Sequence, residues 1–270
     1  MDTLRSPLPR LPYRCIGGAG PPMFFVHGML SSHRQWTPNL AALGGLDDPV
    51  RPVLFDLWGH GDAPCPESDA AYMVDAIVAE FERARVARGA ERVVLCGQSL
   101  GAALTLRYSI RHPERVIAQV FTNSRSALLA PEALISPGNR AARAAAIEHG
   151  GSTALRTLPF HPRHARRLEP QLRAAMVAVA DAVDPRAVAR FTHITVPQLS
   201  VRADLHRIAC PTLLVNGREE KSFQRLRDFA AHEIPSCRVA DIDGGHAVNL
   251  ENPEGFNAAV ADFLKGIVPR

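Results

Sequence analysis

The residues of this chain best suited to chemistry lie between Val93 and Leu106, a run that reads VVLCGQSLGAALTL. An apolar segment rich in β-branched valine leads into Gly97-Gln98-Ser99-Leu100-Gly101, and small and apolar residues at helical spacing follow. This pattern predicts a buried strand, a sharp corner and a helix. Glycines on both sides of a serine remove the Cβ atoms that would clash in so tight a turn. Ser99 is therefore expected in a strained backbone conformation with its hydroxyl exposed. The helix that opens at Leu100 offers N–H groups without intrahelical partners to a developing negative charge. Such a corner suits a nucleophile. A Gly-x-Ser-x-Gly pentapeptide also arises in ordinary loops, so the decision rests with the rest of the chain.

The elements that would have to position Ser99 alternate along the sequence. Short strands are expected at Tyr13–Ile16, Met23–Val26, Val53–Asp56, Val116–Thr122, Thr212–Val215 and Arg238–Ile242, besides the one that leads to Ser99. Helices are expected around Trp36, Leu40 and Leu43, from about Asp69 to Arg88, and from about Phe223 to Ala231. In the second of these, Met73, Ile77 and Phe81 fall on one face. A last helix opens with Asn252 as cap and Pro253 at its first position, and turns Phe256, Val260, Phe263 and Ile267 inward. Alternation of this kind implies a mostly parallel central sheet with helices on both faces, an α/β architecture. Residues 124–208 break the alternation. They are rich in alanine and arginine, punctuated by Pro131, Pro137, Pro162, Pro170 and Pro185, and without a convincing strand. Because sheet pattern brackets them, they read as a helical cap inserted into a core made of residues 1–123 and 209–270.

Composition excludes several classes. With 270 residues, 46% hydrophobic and 21% charged, the chain has the make-up of a soluble globular protein. Its net charge of +4 comes from arginine, with Lys221 and Lys265 the only lysines, and no dense basic run with interleaved aromatics supports nucleic-acid binding. The Gly17–Pro22 cluster precedes a strand rather than a helix, so it is no dinucleotide loop. Five scattered cysteines, with no C-x-x-C spacing, suggest neither a disulfide framework nor a zinc site. No stretch is apolar enough for a signal peptide or a membrane span, so a cytoplasmic location is the expectation. Nothing requires a cofactor, and oligomeric state leaves no signature.

Five segments, each at the carboxyl end of an expected strand, together resemble the α/β-hydrolases. They are Phe25-Val26-His27-Gly28, Asp56-Leu57-Trp58-Gly59-His60-Gly61, Gly97-Gln98-Ser99-Leu100-Gly101, Leu214-Val215-Asn216-Gly217 and Gly244-Gly245-His246-Ala247. The resemblance runs over nearly the whole chain, and in open α/β sheets ligands and catalytic groups gather at those strand ends. It implies Ser99 as nucleophile and His246 as general base, since a loop imidazole titrating near neutrality can take the serine proton and later return one. By spacing from Gly217, Glu220 falls on the position that matches the family's acid, with Glu219 as the competing position. Asn123 stands where some relatives place the acid, but a neutral amide cannot stabilise an imidazolium by charge. The resemblance also implies an oxyanion site formed by the backbone N–H groups of Leu100 and Met29. His27, Gly28 and Gln98 are candidates for the substrate pocket, although His27, His60 and Asp56 also suit loop bracing. His161 and His164 are three apart but lack a third ligand nearby, so no metal is expected.

A serine at the elbow points to acyl transfer, whereas relatives that open epoxides or carbon–halogen bonds carry aspartate there. The reading is a carboxylic-ester or lactone hydrolase for a small-molecule substrate. A thioesterase, a carbon–carbon bond hydrolase, a cofactor-free cyclase, or a ligand-binding receptor that has lost turnover remain open alternatives.

Overall fold

Seven strands pair into one sheet in the order β1-β3-β2-β4-β5-β6-β7 in a computed structural model of the chain. The structure describes residues 9–18, 20–43, 50–134, 136–268; residues 1–7, in which the sequence shows no apolar core of a signal peptide, lie outside them. The strands are β1 (Tyr13–Cys15), β2 (Pro22–Val26), β3 (Arg51–Phe55), β4 (Val93–Gly97), β5 (Val116–Thr122), β6 (Thr212–Gly217) and β7 (Cys237–Ile242). Strand β1 runs antiparallel to β3 at one edge, and every other pairing is parallel. All five residues of β4, at the centre, are buried, which is why this strand reads as a continuous apolar run rather than an alternating one.

The two faces of the sheet carry separate cores, sorted by the strand period of two. Phe24, Val26, Val53, Phe55, Leu95, Phe121 and Leu214 point to one side. There they meet helices α2 (Val74–Ala87) and α3 (Leu100–Arg111), which follow α1 (Thr37–Leu43) in the chain. Met23, Phe25, Leu54, Val94, Cys96, Val120 and Val215 point to the other, against Trp36, Phe256, Val260 and Phe263. Between β5 and β6 the described residues form no strand. They fold as α4 (Arg125–Leu128), α5 (Pro137–Thr157), α6 (Pro170–Asp181) and α7 (Pro185–Arg190), joined by 3-10 turns and a π-helical turn. Helix α5 breaks at Gly151, whose φ is 56°. After β6 come α8 (Gln224–Glu233), α9 (Val248–Glu251) and α10 (Pro253–Leu264).

Helix boundaries differ from the sequence reading: Trp36 lies in a 3-10 turn ahead of α1, and α2 and α10 depart further. The helix expected from Asp69 is a 3-10 turn, Asp69–Tyr72, followed by Met73 in extended conformation (ψ 136°) and only then α2. The extended residue turns its side chain off the helical face. Met73 is thus 44% exposed, and Val74, Ile77, Val78 and Phe81 form the buried stripe. At the other end, Asn252 caps α10 as expected, its Oδ1 accepting the Gly255 N–H at 2.9 Å. The helix stops at Leu264, and Ile267 reaches the same core from the turn beyond it.

The parallel register levels the strand ends. Val26 pairs with Gly97, Gly97 with Phe121, and Gly217 with Ile242. The loops holding His27, Ser99, Asn123, Glu220 and His246 therefore leave the sheet at one rim.

Candidate active site

Ser99 stands at the corner between β4 and α3 with φ 53° and ψ −110°, one of two non-glycine residues with positive φ among those described. That conformation is costly for an L-residue and persists only where the surroundings enforce it. They do so by close packing: a Cβ on Gly101 would overlap Val26 O at the end of β2, and one on Gly97 would press on the first turn of α3. The strain directs Oγ away from the sheet toward the loop after β7.

His246 meets it there. Its Nε2 lies 2.9 Å from Ser99 Oγ, and its Nδ1 lies 3.0 Å from Glu220 Oε2. Glu219 is turned outward, toward Arg167 at 3.4 Å and Lys221 at 3.6 Å. Burial alone would raise the Glu220 carboxyl. The hydrogen bond and charge of His246, with the hydrogen bond from Asn123 and the charge of Arg125, outweigh it and hold the group below its ordinary range. An ionised Glu220 accepts the Nδ1–H and leaves the Nε2 lone pair facing the serine hydroxyl. In this arrangement the imidazole can receive the serine proton while Glu220 fixes the ring's tautomer.

The acid and histidine loops are fixed to one another through backbone. A Cβ on Gly217 would overlap the carbonyl oxygen of Gly245, so the end of β6 and the histidine loop are in direct contact. Glu251 accepts the N–H groups of Gly245 at 2.6 Å and Ala247 at 3.2 Å, and Gln98 Nε2 donates to His246 O at 3.1 Å. Asn123, at the end of β5, donates from Nδ2 to Glu220 Oε2 at 2.9 Å and to Gly217 O at 3.1 Å. Its Oδ1 accepts the Gly217 N–H at 3.0 Å. Asn123 thus orients the Glu220 carboxylate through a neutral amide. The roles of Glu251 and Asn123 escape sequence reading, because each hydrogen bond depends on how two loops face one another rather than on any local pattern.

The loop after β2 closes the other side. A Cβ on Gly28 would come within 3.3 Å of Ser99 Cβ, so this backbone crosses directly over Ser99 and carries Met29 with it. Met29 and Leu100 both line a cavity of about 590 Å³ above Ser99, with Gln98, His246 and Glu220. His27 and Gly28, expected at the pocket, stand behind this wall. His27 is fully buried, donating from Nδ1 to Gly28 O at 2.7 Å and accepting the Leu57 N–H on Nε2 at 3.0 Å. His60 braces in the same way, donating to Trp58 O at 2.8 Å and accepting the Leu30 N–H at 3.3 Å. Burial pushes the pKa of His60 down to about 3 and lowers that of His27, so both rings are neutral. Asp56 accepts the N–H groups of His33 and Asp62 and the ring N–H of His33. His33, Asp56 and Asp62 form the one metal-type cluster among the described residues, and these bonds account for it as a loop brace. His161 and His164 line the cavity. His161 accepts the Arg163 N–H within its own turn, and His164 Nε2 donates to Arg156 O on α5 at 3.3 Å.

The helical segment supplies the roof. Leu30, the other residue with positive φ (58°), inserts among Ile147, Leu155, Leu158 and Val188, while Leu250 packs against Leu168 and Met176.

A family model described as "Alpha/beta hydrolase family" matches residues 23–259. The chain belongs to this family. Among the relatives of this α/β hydrolase is the carboxylesterase YbfK of Bacillus subtilis (strain 168), 28% identical over 251 residues that cover 91% of this chain and 81% of the relative. Another is the putative carbamate hydrolase RutD of Escherichia coli O127:H6, 25% identical and covering 92% of both chains. Among solved structures, a thermophilic esterase from Thermogutta terrifontis superposes with a TM-score of 0.82 at 21% identity, over 96% of this chain and 94% of its own. The fold is shared across the full length. Among the described residues, no helix of this α/β hydrolase is long and apolar enough to cross a membrane.

Proposed function

We propose that this α/β hydrolase cleaves a carboxylic ester or lactone through an acyl-enzyme on Ser99. The observation that carries the reading is the Ser99–His246–Glu220 chain of contacts, 2.9 Å and 3.0 Å long. Ser99 Oγ attacks the carbonyl carbon as its proton passes to His246 Nε2, and the carbonyl π pair moves onto oxygen. The backbone N–H groups of Met29 and Leu100 receive that oxyanion; donors pre-aimed in this way contribute roughly 3 kcal/mol each to barrier lowering. Collapse expels the alcohol, which takes the proton from His246. Water, deprotonated by the same imidazole, then attacks the acyl carbon and releases the acid, and Ser99 Oγ recovers its proton. Glu220 orients the ring and stabilises the imidazolium at each transfer. The names carried by the relatives, carboxylesterase and putative carbamate hydrolase, both denote cleavage at a carbonyl carbon.

In this reading residues 124–208 are a cap that shapes the acyl pocket, and residues 1–123 and 209–270 are the core that does the chemistry. Five free cysteines suit a reducing, cytoplasmic setting. The test is labelling with a fluorophosphonate, followed by a panel of esters, lactones, thioesters and vinylogous diketones. Labelling confined to Ser99, with turnover of oxygen esters abolished in Ser99→Ala and His246→Ala, is the expected result. Turnover of the diketones alone would move the function to carbon–carbon cleavage, and tight binding without turnover would make the protein a receptor.

A further inference from the structure

The cavity over Ser99 carries positive charge beside the Ser99–His246–Glu220 contacts. Most of its wall is apolar, as at Leu168, Met176 and Leu199, yet Arg125 and Arg143 also open onto it. Arg125 is exposed at the start of α4, directly after β5, and Arg143 is half-buried on α5 in the helical roof. The two arginines thus approach one space from the sheet side and the roof side. Among the described residues, neither guanidinium makes a hydrogen bond or a close ion pair, although the charge of Arg125 helps to hold the Glu220 carboxyl low.

The acids lining the same cavity cannot serve them. Glu220 is taken by His246 and Asn123, and Glu251 by the N–H groups of Gly245 and Ala247. Two guanidinium forks whose donors make no hydrogen bond, beside an apolar wall, match a carboxylate better than any neutral group, because the planar fork offers paired donors to its two oxygens. The apolar wall has its own complement in a hydrocarbon chain.

We propose that the substrate of this site carries a free carboxylate besides the scissile carbonyl, with a short apolar chain between them, and that Arg125 and Arg143 hold that carboxylate. The inference rests on the acyl-transfer reading and adds the substrate class to it. Arg125 and Arg143 are then specificity residues that act on binding of the charged end.

The test compares mono-4-nitrophenyl adipate with 4-nitrophenyl hexanoate, which match in chain length and differ in the terminal carboxylate. The readout is the ratio of their kcat/KM values, so a general loss of activity in a variant cancels. The wild-type ratio should favour the adipate by about tenfold, the scale of one charge-assisted contact. Arg125→Gln and Arg143→Gln should each lower the ratio, and the double variant should abolish the preference. A wild-type preference for the hexanoate, or a ratio unchanged in the double variant, overturns the proposal and leaves two solvated surface arginines. A second arm needs no turnover: adipate, but not adipamide, should raise the melting temperature of Ser99→Ala, and this shift should vanish when both arginines are also replaced. No shift with adipate sinks the anion site. An adipate shift in a protein that labels at no serine and cleaves neither ester would instead sink the acyl-transfer reading alone.

Discussion

Glu220 and Glu219 are chemically identical neighbours that meet different surroundings. One points inward to His246 and Asn123, the other outward to Arg167 and Lys221. Glu220→Gln should therefore lower kcat by about 10⁴-fold, the loss seen when the orienting acid of such a relay becomes an amide. Glu219→Gln should stay near wild type, and steady-state kinetics on one ester separates the two. Buried neutral histidines make a second residue-level prediction. The pKa of His60 is about 3 in the folded protein against an ordinary 6.5, so the unfolded chain takes up a proton first as pH falls. The stability contributed by the neutral ring is complete above about pH 6.5 and is lost on acidification toward 3. Its slope is about 1.4 kcal/mol per pH unit for one such ring. Urea unfolding at pH 7.5, 6 and 5 should show this decline. His60→Gln, which keeps an acceptor for the Leu30 N–H but cannot take up a proton, should flatten it.

At the scale of elements, the site is held by backbone touching backbone. Gly217→Ala would drive a methyl group into Gly245 O and push the histidine loop off the end of β6. A displacement of about 1 Å in such a relay is worth roughly 100-fold in rate, so kcat should fall by that order while circular dichroism stays native. This is also the scale at which the sequence is most and least legible. Ser99, His246 and Glu220 stand out because each follows a strand end marked by glycine, a local signal that survives without coordinates. Asn123 and Glu251 do not, since their worth lies in hydrogen bonds between loops that only the folded sheet brings together. Met73 misleads for a different reason. The spacing to Ile77 and Phe81 is helical, but the helix begins one residue later, and a period cannot locate its own first turn.

On the scale of the whole molecule, the strand-bearing core and the helical stretch between β5 and β6 both line the cavity over Ser99. The core was legible as an α/β sheet because buried parallel strands read as short apolar runs between helices. The packing of α5, α6 and α7 over the cavity was not, because alanine-rich helices carry too little periodic contrast to say which face turns inward. Exchanging residues 137–190 for the matching stretch of a related esterase, while keeping Ser124 and its 2.7 Å bond to Ser99 O, should redirect chain-length preference. One methylene in such a pocket is worth about 10- to 200-fold, so kcat/KM ratios across a series of acyl lengths will report the change. Serine labelling should persist throughout.

Part of the cavity wall comes from polypeptide that the relay does not use. The relay hangs on glycine contacts within the sheet rim, whereas Phe160, Leu168 and Met176 reach the cavity from helices and turns that none of those contacts involve. Combinatorial libraries at these three positions should accordingly yield a high fraction of folded, serine-reactive clones. The scaffold is in effect already partitioned into a part to leave alone and a part to diversify.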